Sequence, residues 1–162
     1  MRLLRRFFGL TSVERRVLVK ATLLLALIQL GLGRLPFTML RRLVTGDTAN
    51  GGRLSADRQG FADVVVWAVT AASRWVPGRT TCLSQALTAQ ALLGRNGYPS
   101  RLQFGVVRGA RGEVEGHAWV ECEGRVLIGG TPVEIGKFTP LAAFDVETAF
   151  RLRAIETPQG GR

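Results

Sequence analysis

The chain contains 162 residues, of which 46% are hydrophobic, and it carries a formal net charge of +10 at pH 7. This length and apolar content suffice to bury one hydrophobic core, so we expect one globular unit. Two cysteines and one histidine are too few for a typical zinc site, and we predict neither a metal nor a cofactor. The positive charge predicts an acidic partner, which leaves open an acidic peptide or protein, an anionic lipid and a nucleic acid.

Residues 1–50 are predicted to form a helical region. Residues 11–14, Thr-Ser-Val-Glu, have the pattern of a helix-capping box, and the run from Ala21 to Gly33 is almost entirely apolar. Because about 20 apolar residues are needed to span a bilayer, we interpret this run as a helix of the protein core. A helix on the membrane surface is the alternative, because basic and aromatic residues precede the run. These residues are Arg2, Arg5, Arg6, Phe7, Phe8, Arg15 and Arg16.

The next part of the chain is predicted to be a loop followed by a helix. The loop is the glycine-rich stretch at residues 45–52, and the helix covers Ala56–Arg74. Within this helix, Val64–Trp67 has the composition of a strand and counts against the helical interpretation.

Cys82 is the candidate nucleophile. Residues 77–81, Pro-Gly-Arg-Thr-Thr, predict a loop, and the good helix formers that follow predict a helix that stops at Asn96-Gly97. Cys82 would then lie in the first helical turn, where unpaired backbone N–H groups and the helix dipole stabilise a thiolate. Taken alone, a cysteine in such a helix is as often a small buried hydrophobic residue. Helical spacing predicts the buried face of the helix, namely Leu83, Ala86, Leu87 and Ala91.

His117, the only histidine in the chain, is the candidate base. Two runs of alternating residues, 101–106 and 116–122, predict strands. His117 would share one face of the second strand with Trp119 and Glu121, whereas Cys122 points to the other face and is interpreted as a core residue. A thiol on a helix and an imidazole on a strand are the arrangement of papain-like and transglutaminase-like sites. Taken alone, a histidine in a strand is more often structural.

Four segments, in this order, resemble the transglutaminase-like protease of lasso-peptide biosynthesis. They are residues 77–83 (Pro-Gly-Arg-Thr-Thr-Cys-Leu), 92–99 (Leu-Leu-Gly-Arg-Asn-Gly-Tyr-Pro), 117–121 (His-Ala-Trp-Val-Glu) and 138–141 (Phe-Thr-Pro-Leu). The resemblance implies an α+β fold of the transglutaminase-like or papain-like type, with a helical N-terminal half and an antiparallel sheet. The chain is divided accordingly into an N-terminal helical region at 1–50 and a cysteine peptidase core at 51–156. The terminal residues Pro-Gln-Gly-Gly-Arg predict a flexible tail at 157–162.

The resemblance also implies a function. Such proteases remove the leader from a ribosomally made precursor peptide, after which a separate ATP-dependent cyclase closes the macrolactam. On this basis Cys82 is the nucleophile, His117 is the base, and Gln85 or Trp119 assists the oxyanion or lines the substrate cleft. The expected partners are the leader of the precursor, a small separate leader-recognition protein and the cyclase. Cysteine usage and the lack of a convincing secretory signal predict a cytoplasmic protein, with peripheral attachment to the membrane as the alternative.

The third catalytic group is left open by the sequence. A two-residue turn at Glu123-Gly124 with an unbroken antiparallel register would place Gly130 beside His117, with Gly129 next to it. Members of the resembled family with a full triad carry an aspartate at about this position. The acceptor for the imidazole is therefore a backbone carbonyl, a water molecule or a carboxylate from elsewhere. The candidate carboxylates are Glu115, Glu121 and Glu134.

Two further functions remain as alternatives. A catalytically weak or inactive scaffold that binds the precursor and its maturation partners is favoured by the glycine pair at 129–130. A basic nucleic-acid-binding protein is the lesser alternative, since the arginines are dispersed over the chain and no nucleic-acid-binding motif accompanies them. We therefore expect no nucleic-acid partner.

Overall fold

The computed structural model describes residues 9–32, 34, 58–76, 80–109 and 112–141. The basic residues before Gly9, the predicted loop at 45–52 and the predicted tail at 157–162 lie outside the described residues. The described part is an α+β arrangement in which helices precede an antiparallel sheet, as the resemblance implied.

Helix α1 covers Ser12–Leu32 and begins with the predicted capping box. The backbone N–H and the hydroxyl of Thr11 donate to the carboxylate of Glu14 at 2.7 and 2.8 Å, and the Glu14 N–H donates to the Thr11 hydroxyl at 3.3 Å. One face of the helix is buried in the core, which confirms the core interpretation of the apolar run. Its buried residues are Val17, Ala21, Leu25, Ile28 and Gly31. Among the described helices, none has the length and apolar character needed to cross a bilayer.

Helix α2 covers Arg58–Ser73 and confirms the second predicted helix, including its β-prone centre. Val65, Ala68, Val69 and Ala72 are all fully buried. These positions follow helical spacing, so a helix buries them together on one face, and this burial outweighs the local strand preference of the valines.

Helix α3 covers Cys82–Gly94 and packs against α1, α2 and the sheet. The face predicted from helical spacing is buried, with Leu83 at 9% exposure and Ala86, Leu87 and Ala91 at 0%. The chain leaves the helix through the predicted stop, where Gly97 has a φ of 77°. That positive φ is accessible to glycine at little cost.

The described strands form one antiparallel sheet in the order β3-β2-β1-β4. Strand β1 covers Ser100–Arg108, β2 covers Val114–Cys122, β3 covers Arg125–Ile128 and β4 covers Thr139–Pro140. A short helix, α4, covers Pro132–Ile135 between the last two strands.

The turn between β2 and β3 is the predicted two-residue hairpin. Glu123 and Gly124 have φ values of 52° and 76°, the left-handed conformation that suits the twist of a tight hairpin. The unbroken register predicted for this hairpin is wrong, however. Glu121 pairs with Val126 as predicted, but the register shifts between Glu121 and Val120, and Val120 pairs with Ile128. This β-bulge inserts one extra residue into β3 and changes which part of the following loop faces His117.

Candidate active site

Cys82 is the first residue of α3, directly after the N-cap residue Thr81. The Thr81 hydroxyl accepts a hydrogen bond from the Ser84 N–H at 3.2 Å, and the Ser84 hydroxyl accepts one from the Thr81 N–H at 3.1 Å. This reciprocal cap fixes the start of the helix at the cysteine. The backbone N–H groups of Cys82 and Leu83 have no acceptor among the described residues, so they remain available to stabilise negative charge.

The Cys82 side chain is partly buried and packs against the hydrophobic core. That core includes Ala118 and Val120 of β2, and helix α3 contacts β1, β2 and β3. Helix α3 therefore packs on the face of β2 that carries Ala118 and Val120, and the alternation of the strand places His117 on the opposite face. Within the described part of the chain, no hydrogen bond joins the thiol to the His117 imidazole.

The His117 imidazole forms a hydrogen bond from Nε2 to the main-chain carbonyl oxygen of Gly129. A carbonyl oxygen can only accept, so Nε2 must carry the proton. In the neutral ring this leaves the lone pair on Nδ1, which is the atom that can remove a proton from a thiol. A backbone carbonyl is therefore the acceptor, one of the three possibilities that the sequence left open.

Two aromatic rings hold the plane of the imidazole. Phe138 stacks on His117 with ring centroids 4.9 Å apart, and Trp119 lies 6.3 Å away in a similar orientation. Gly105 lies opposite His117 on β1, and a Cβ there would come within 2.7 Å of the Phe138 Cβ and 3.0 Å of the Trp119 ring. The missing side chain at Gly105 leaves the space that these rings occupy.

Trp119 is a packing residue. Its side chain is only 2% exposed, and its indole Nε1 donates to the Glu121 carboxylate at 2.7 Å. The expectation that Trp119 lines a substrate cleft is therefore not supported, because a ring with so little exposed surface offers no wall to a peptide. Gln85, the other candidate helper, is partly exposed on α3.

The candidate carboxylates for the third catalytic position have other roles or lie exposed. Glu121 is partly buried and accepts a hydrogen bond from the Trp119 indole. Glu134 accepts from the backbone N–H and hydroxyl of Thr131 at 2.7 and 2.8 Å, and these hydrogen bonds lower its pKa. Glu115 is exposed near the start of β2. None of these carboxylates forms a hydrogen bond with the imidazole within the described residues.

Two contributors to the site were not identified from the sequence. Phe138 belongs to a segment that the resemblance singled out, yet no role was assigned to it. Gly105 occupies an intervening position in the apolar alternation of β1, and a glycine inside a strand often marks a close approach of another group. This glycine was a usable signal for crowding at this point, although it did not reveal which side chain occupies the space.

Comparison with protein families adds an independent finding. The sequence model of the transglutaminase-like superfamily matches residues 22–143, which include the second half of α1, Cys82, His117 and Phe138. No curated protein and no solved structure matches the chain.

Proposed function

Since the chain belongs to the transglutaminase-like superfamily, which includes cysteine peptidases, we propose that it is a cysteine peptidase that removes the leader from a lasso-peptide precursor. The observation that carries the proposal is the hydrogen bond of the candidate base: His117 donates from Nε2 to the Gly129 carbonyl, so in the neutral ring the lone pair lies on Nδ1. The position of Cys82 at the capped start of α3 supports the role of nucleophile.

The proposed reaction follows the chemistry of a Cys–His pair. His117 Nδ1 takes the proton of the Cys82 thiol, and the thiolate sulfur attacks the carbonyl carbon that precedes the cut. The backbone N–H groups of Cys82 and Leu83 stabilise the oxyanion. The imidazolium then protonates the leaving amine, which is the new N terminus of the core peptide. Water, deprotonated by His117, hydrolyses the thioester and restores the thiol.

The missing hydrogen bond between thiol and imidazole is compatible with this reaction. Catalytic hydrogen bonds are often long or poorly aligned in a free enzyme and shorten only when substrate binds. Because His117 projects from the face of β2 opposite to the core that holds α3, the proposal also requires a rearrangement that brings the imidazole to the Cys82 thiol when the precursor binds.

We further propose that the protein acts in the cytoplasm on the leader region, with a separate leader-recognition protein, before an ATP-dependent cyclase closes the macrolactam. The net charge of +10 supports binding to an acidic segment of the leader or of the recognition protein. No metal or cofactor has a part in the proposed reaction.

Mass spectrometry of the precursor, incubated with its recognition protein and this enzyme, tests the proposal. The wild type should release one leader fragment, whereas Cys82→Ala and His117→Ala should lower the rate by at least about a thousandfold. Cys122→Ala is the matched control and should cut at the wild-type rate. A cut that survives both active-site substitutions would contradict the proposal.

A scaffold without turnover is the second candidate. The absence of a hydrogen bond between Cys82 and His117 in the described residues favours it, as does the glycine pair at 129–130 where related triads carry an acid. Equal binding of the precursor by wild type and Cys82→Ala, with no cleavage by either, would establish this candidate in place of the peptidase.

A further inference from the structure

The loop after β3 offers His117 a main-chain group at the point where the resemblance leads one to expect an aspartate. We infer that the Gly129 carbonyl is the positioning group of this site, and that it holds the imidazole as the Nε2-protonated tautomer. The inference deepens the proposed function, on which its kinetic consequence rests. The tautomer of His117 can be tested whether or not the protein cleaves a peptide.

Residue 129 has no room for a side chain. Gly129 has a φ of +109°, and a Cβ built there would lie 2.5 Å from the Trp119 Cβ and 2.8 Å from the Ala118 carbonyl oxygen. An aspartate at this position would therefore clash with β2 and adopt a backbone conformation that L-residues rarely occupy. The crowding that excludes the acid also brings the main chain close enough for its carbonyl to reach the ring.

Gly130 sets the direction of that carbonyl. The peptide group between residues 129 and 130 rotates with the φ of Gly130, which is +119°. The next residue is fixed, because Thr131 caps α4 and is bonded to the Glu134 carboxylate at 2.7 Å. Two successive glycines between a bulged strand and a capped helix thus let the carbonyl face His117.

The Gly129 carbonyl can orient the imidazole as a carboxylate would, but it does not supply the negative charge of a carboxylate. A carboxylate would hold the same tautomer and also stabilise the imidazolium electrostatically. A neutral carbonyl fixes the ring and contributes only its dipole. The candidate carboxylate Glu134 is already bonded to the Thr131 N–H and hydroxyl.

Nitrogen NMR of the wild-type protein tests the tautomer directly. The chain has one histidine, so ¹⁵N-labelled histidine gives a single imidazole spectrum with no assignment problem. For the neutral ring, we expect a pyrrole-type signal for Nε2 and a pyridine-type signal for Nδ1. An Nδ1-protonated ring, or the tautomer mixture of an unfolded peptide, would overturn the inference.

Gly130→Ala tests the role of the loop. Its Cβ meets only the Glu134 side chain, with Oε2 at 3.2 Å and Cβ at 3.7 Å, so the main effect is on the positive φ and on the carbonyl that depends on it. We expect the NMR signals of the Nε2-protonated tautomer to weaken. We also expect kcat to fall by about ten- to a hundredfold, with KM little changed.

Gly124→Ala is the matched control. It also replaces a glycine at positive φ, here +76°, but nothing lies within 4 Å of its Cβ and it is in the hairpin turn away from His117. An equal loss of activity and tautomer signature in both variants would show general destabilisation and overturn the inference. The expected tautomer without any turnover would uphold the positioning role and refute the proposed peptidase, so the two failures are distinguishable.

A second, independent observation concerns the outer face of α1. Val19, Leu23, Leu27 and Leu30 follow helical spacing and are 46–63% exposed. They lie opposite the residues that α1 buries in the core. A groove of about 220 Å³ runs beside them, between α1 and the end of α3, and Leu92 lies in its floor.

Cations surround this apolar stripe. Arg16 precedes it by one turn, Arg34 follows it, and Lys20 and Arg95 line the groove. The only acidic residue in α1 is Glu14, in its first turn. We propose that this face binds a bilayer surface that carries anionic headgroups, with the leucines in the interfacial region and the cations at the phosphates.

Co-sedimentation with phospholipid vesicles tests the membrane proposal. The wild-type protein should bind vesicles of equal parts phosphatidylcholine and phosphatidylglycerol and should dissociate from them at high salt. It should not bind vesicles of pure phosphatidylcholine. Leu27→Glu should weaken binding by at least about tenfold, because it places a negative charge in the apolar stripe. Val114→Glu, an equally exposed position on β2 at 62%, is the matched control and should bind within about twofold of wild type.

Three results would overturn the membrane proposal. If the wild-type protein remains in the supernatant with both kinds of vesicle, the outer face of α1 does not bind a bilayer. Equal losses in Leu27→Glu and Val114→Glu would mean that net charge alone drives binding. A dimer that Leu27→Glu dissociates, without vesicle binding, would identify a second copy of the chain as the occupant of this face.

Discussion

At the scale of single residues, the site depends on groups that are absent as much as on groups that are present. Because Gly105 has no Cβ, the side chains of Phe138 and Trp119 fit beside it. Because Gly129 has no Cβ, its main chain can pack against Trp119 and its carbonyl can reach His117. The imidazole is consequently held by an aromatic ring on its face and by a hydrogen bond at Nε2. A side chain added at either glycine displaces the groups that orient the base.

Gly105→Ala should both destabilise the fold and slow the proposed reaction. The new Cβ would lie 2.7 Å from the Phe138 Cβ, so the ring that stacks on His117 must move. Overpacking of this kind typically costs about 1–3 kcal/mol of unfolding free energy. Urea denaturation measures that loss. Gly116→Ala on the adjacent strand meets open space and serves as the control, and a loss as large as that of Gly105→Ala would contradict the explanation.

At the scale of secondary-structure elements, reciprocal capping defines three helix starts among the described residues. Thr11 caps α1, Thr81 caps α3 and Thr131 caps α4. The cap of α3 fixes the helix start at Cys82, and the cap of α4 fixes the chain just after Gly130. Two of these caps use a glutamate, and hydrogen bonds from the capping threonine lower the pKa of Glu14 and Glu134.

The lowered pKa values predict that the two glutamate caps are lost in acid. A carboxyl whose pKa falls on folding stabilises the protein above its unfolded pKa, here about 4.5, and this contribution disappears as the pH falls through the folded value. Glu14→Gln should therefore lower the urea midpoint at neutral pH and have little effect below the folded pKa. A difference from wild type that stays constant with pH would contradict this, and Glu115→Gln, which caps no helix, is the control.

At the scale of the whole molecule, helices α1, α2 and α3 share one core with the sheet. Leu25, Val65, Leu87 and Val120 come from four different elements and are each fully buried. The core holds α3 against β2, so the two halves of the candidate site depend on the same packing. By contrast, the outer face of α1 leaves leucines of similar size in solvent.

Leu87→Ala should lower the unfolding free energy by about 2–5 kcal/mol, since it leaves a cavity in the centre of this core. Leu27→Ala removes the same atoms from a side chain that is 63% exposed and should change stability by less than about 0.5 kcal/mol. Denaturant unfolding of both variants measures the contrast. Equal losses would mean that the outer face of α1 is packed against another group.

Much of the fold could be predicted from the sequence because it follows from short-range patterns. Helical spacing identified the buried face of α3, alternation identified β1 and β2, and the turn residues Glu123-Gly124 identified the hairpin. The placement of Cys82 at a helix start came from the same kind of signal. The pairing of Cys82 with His117 in catalysis stays a prediction.

The sequence by itself determined helices α1 to α3, strands β1 to β3 and the two residues that could carry the chemistry, since periodicity and turn residues involve neighbours within a few positions. Helix α4 and strand β4 were not predicted. Only the tertiary structure decided how the imidazole is held. The bulge between Val120 and Glu121 shifts the register of β3 against β2, and the group that reaches His117 is the Gly129 carbonyl, not a side chain. Burial of Trp119 likewise depends on distant glycines that leave space for its ring. Such contacts join residues far apart in the chain, and local sequence patterns do not encode them.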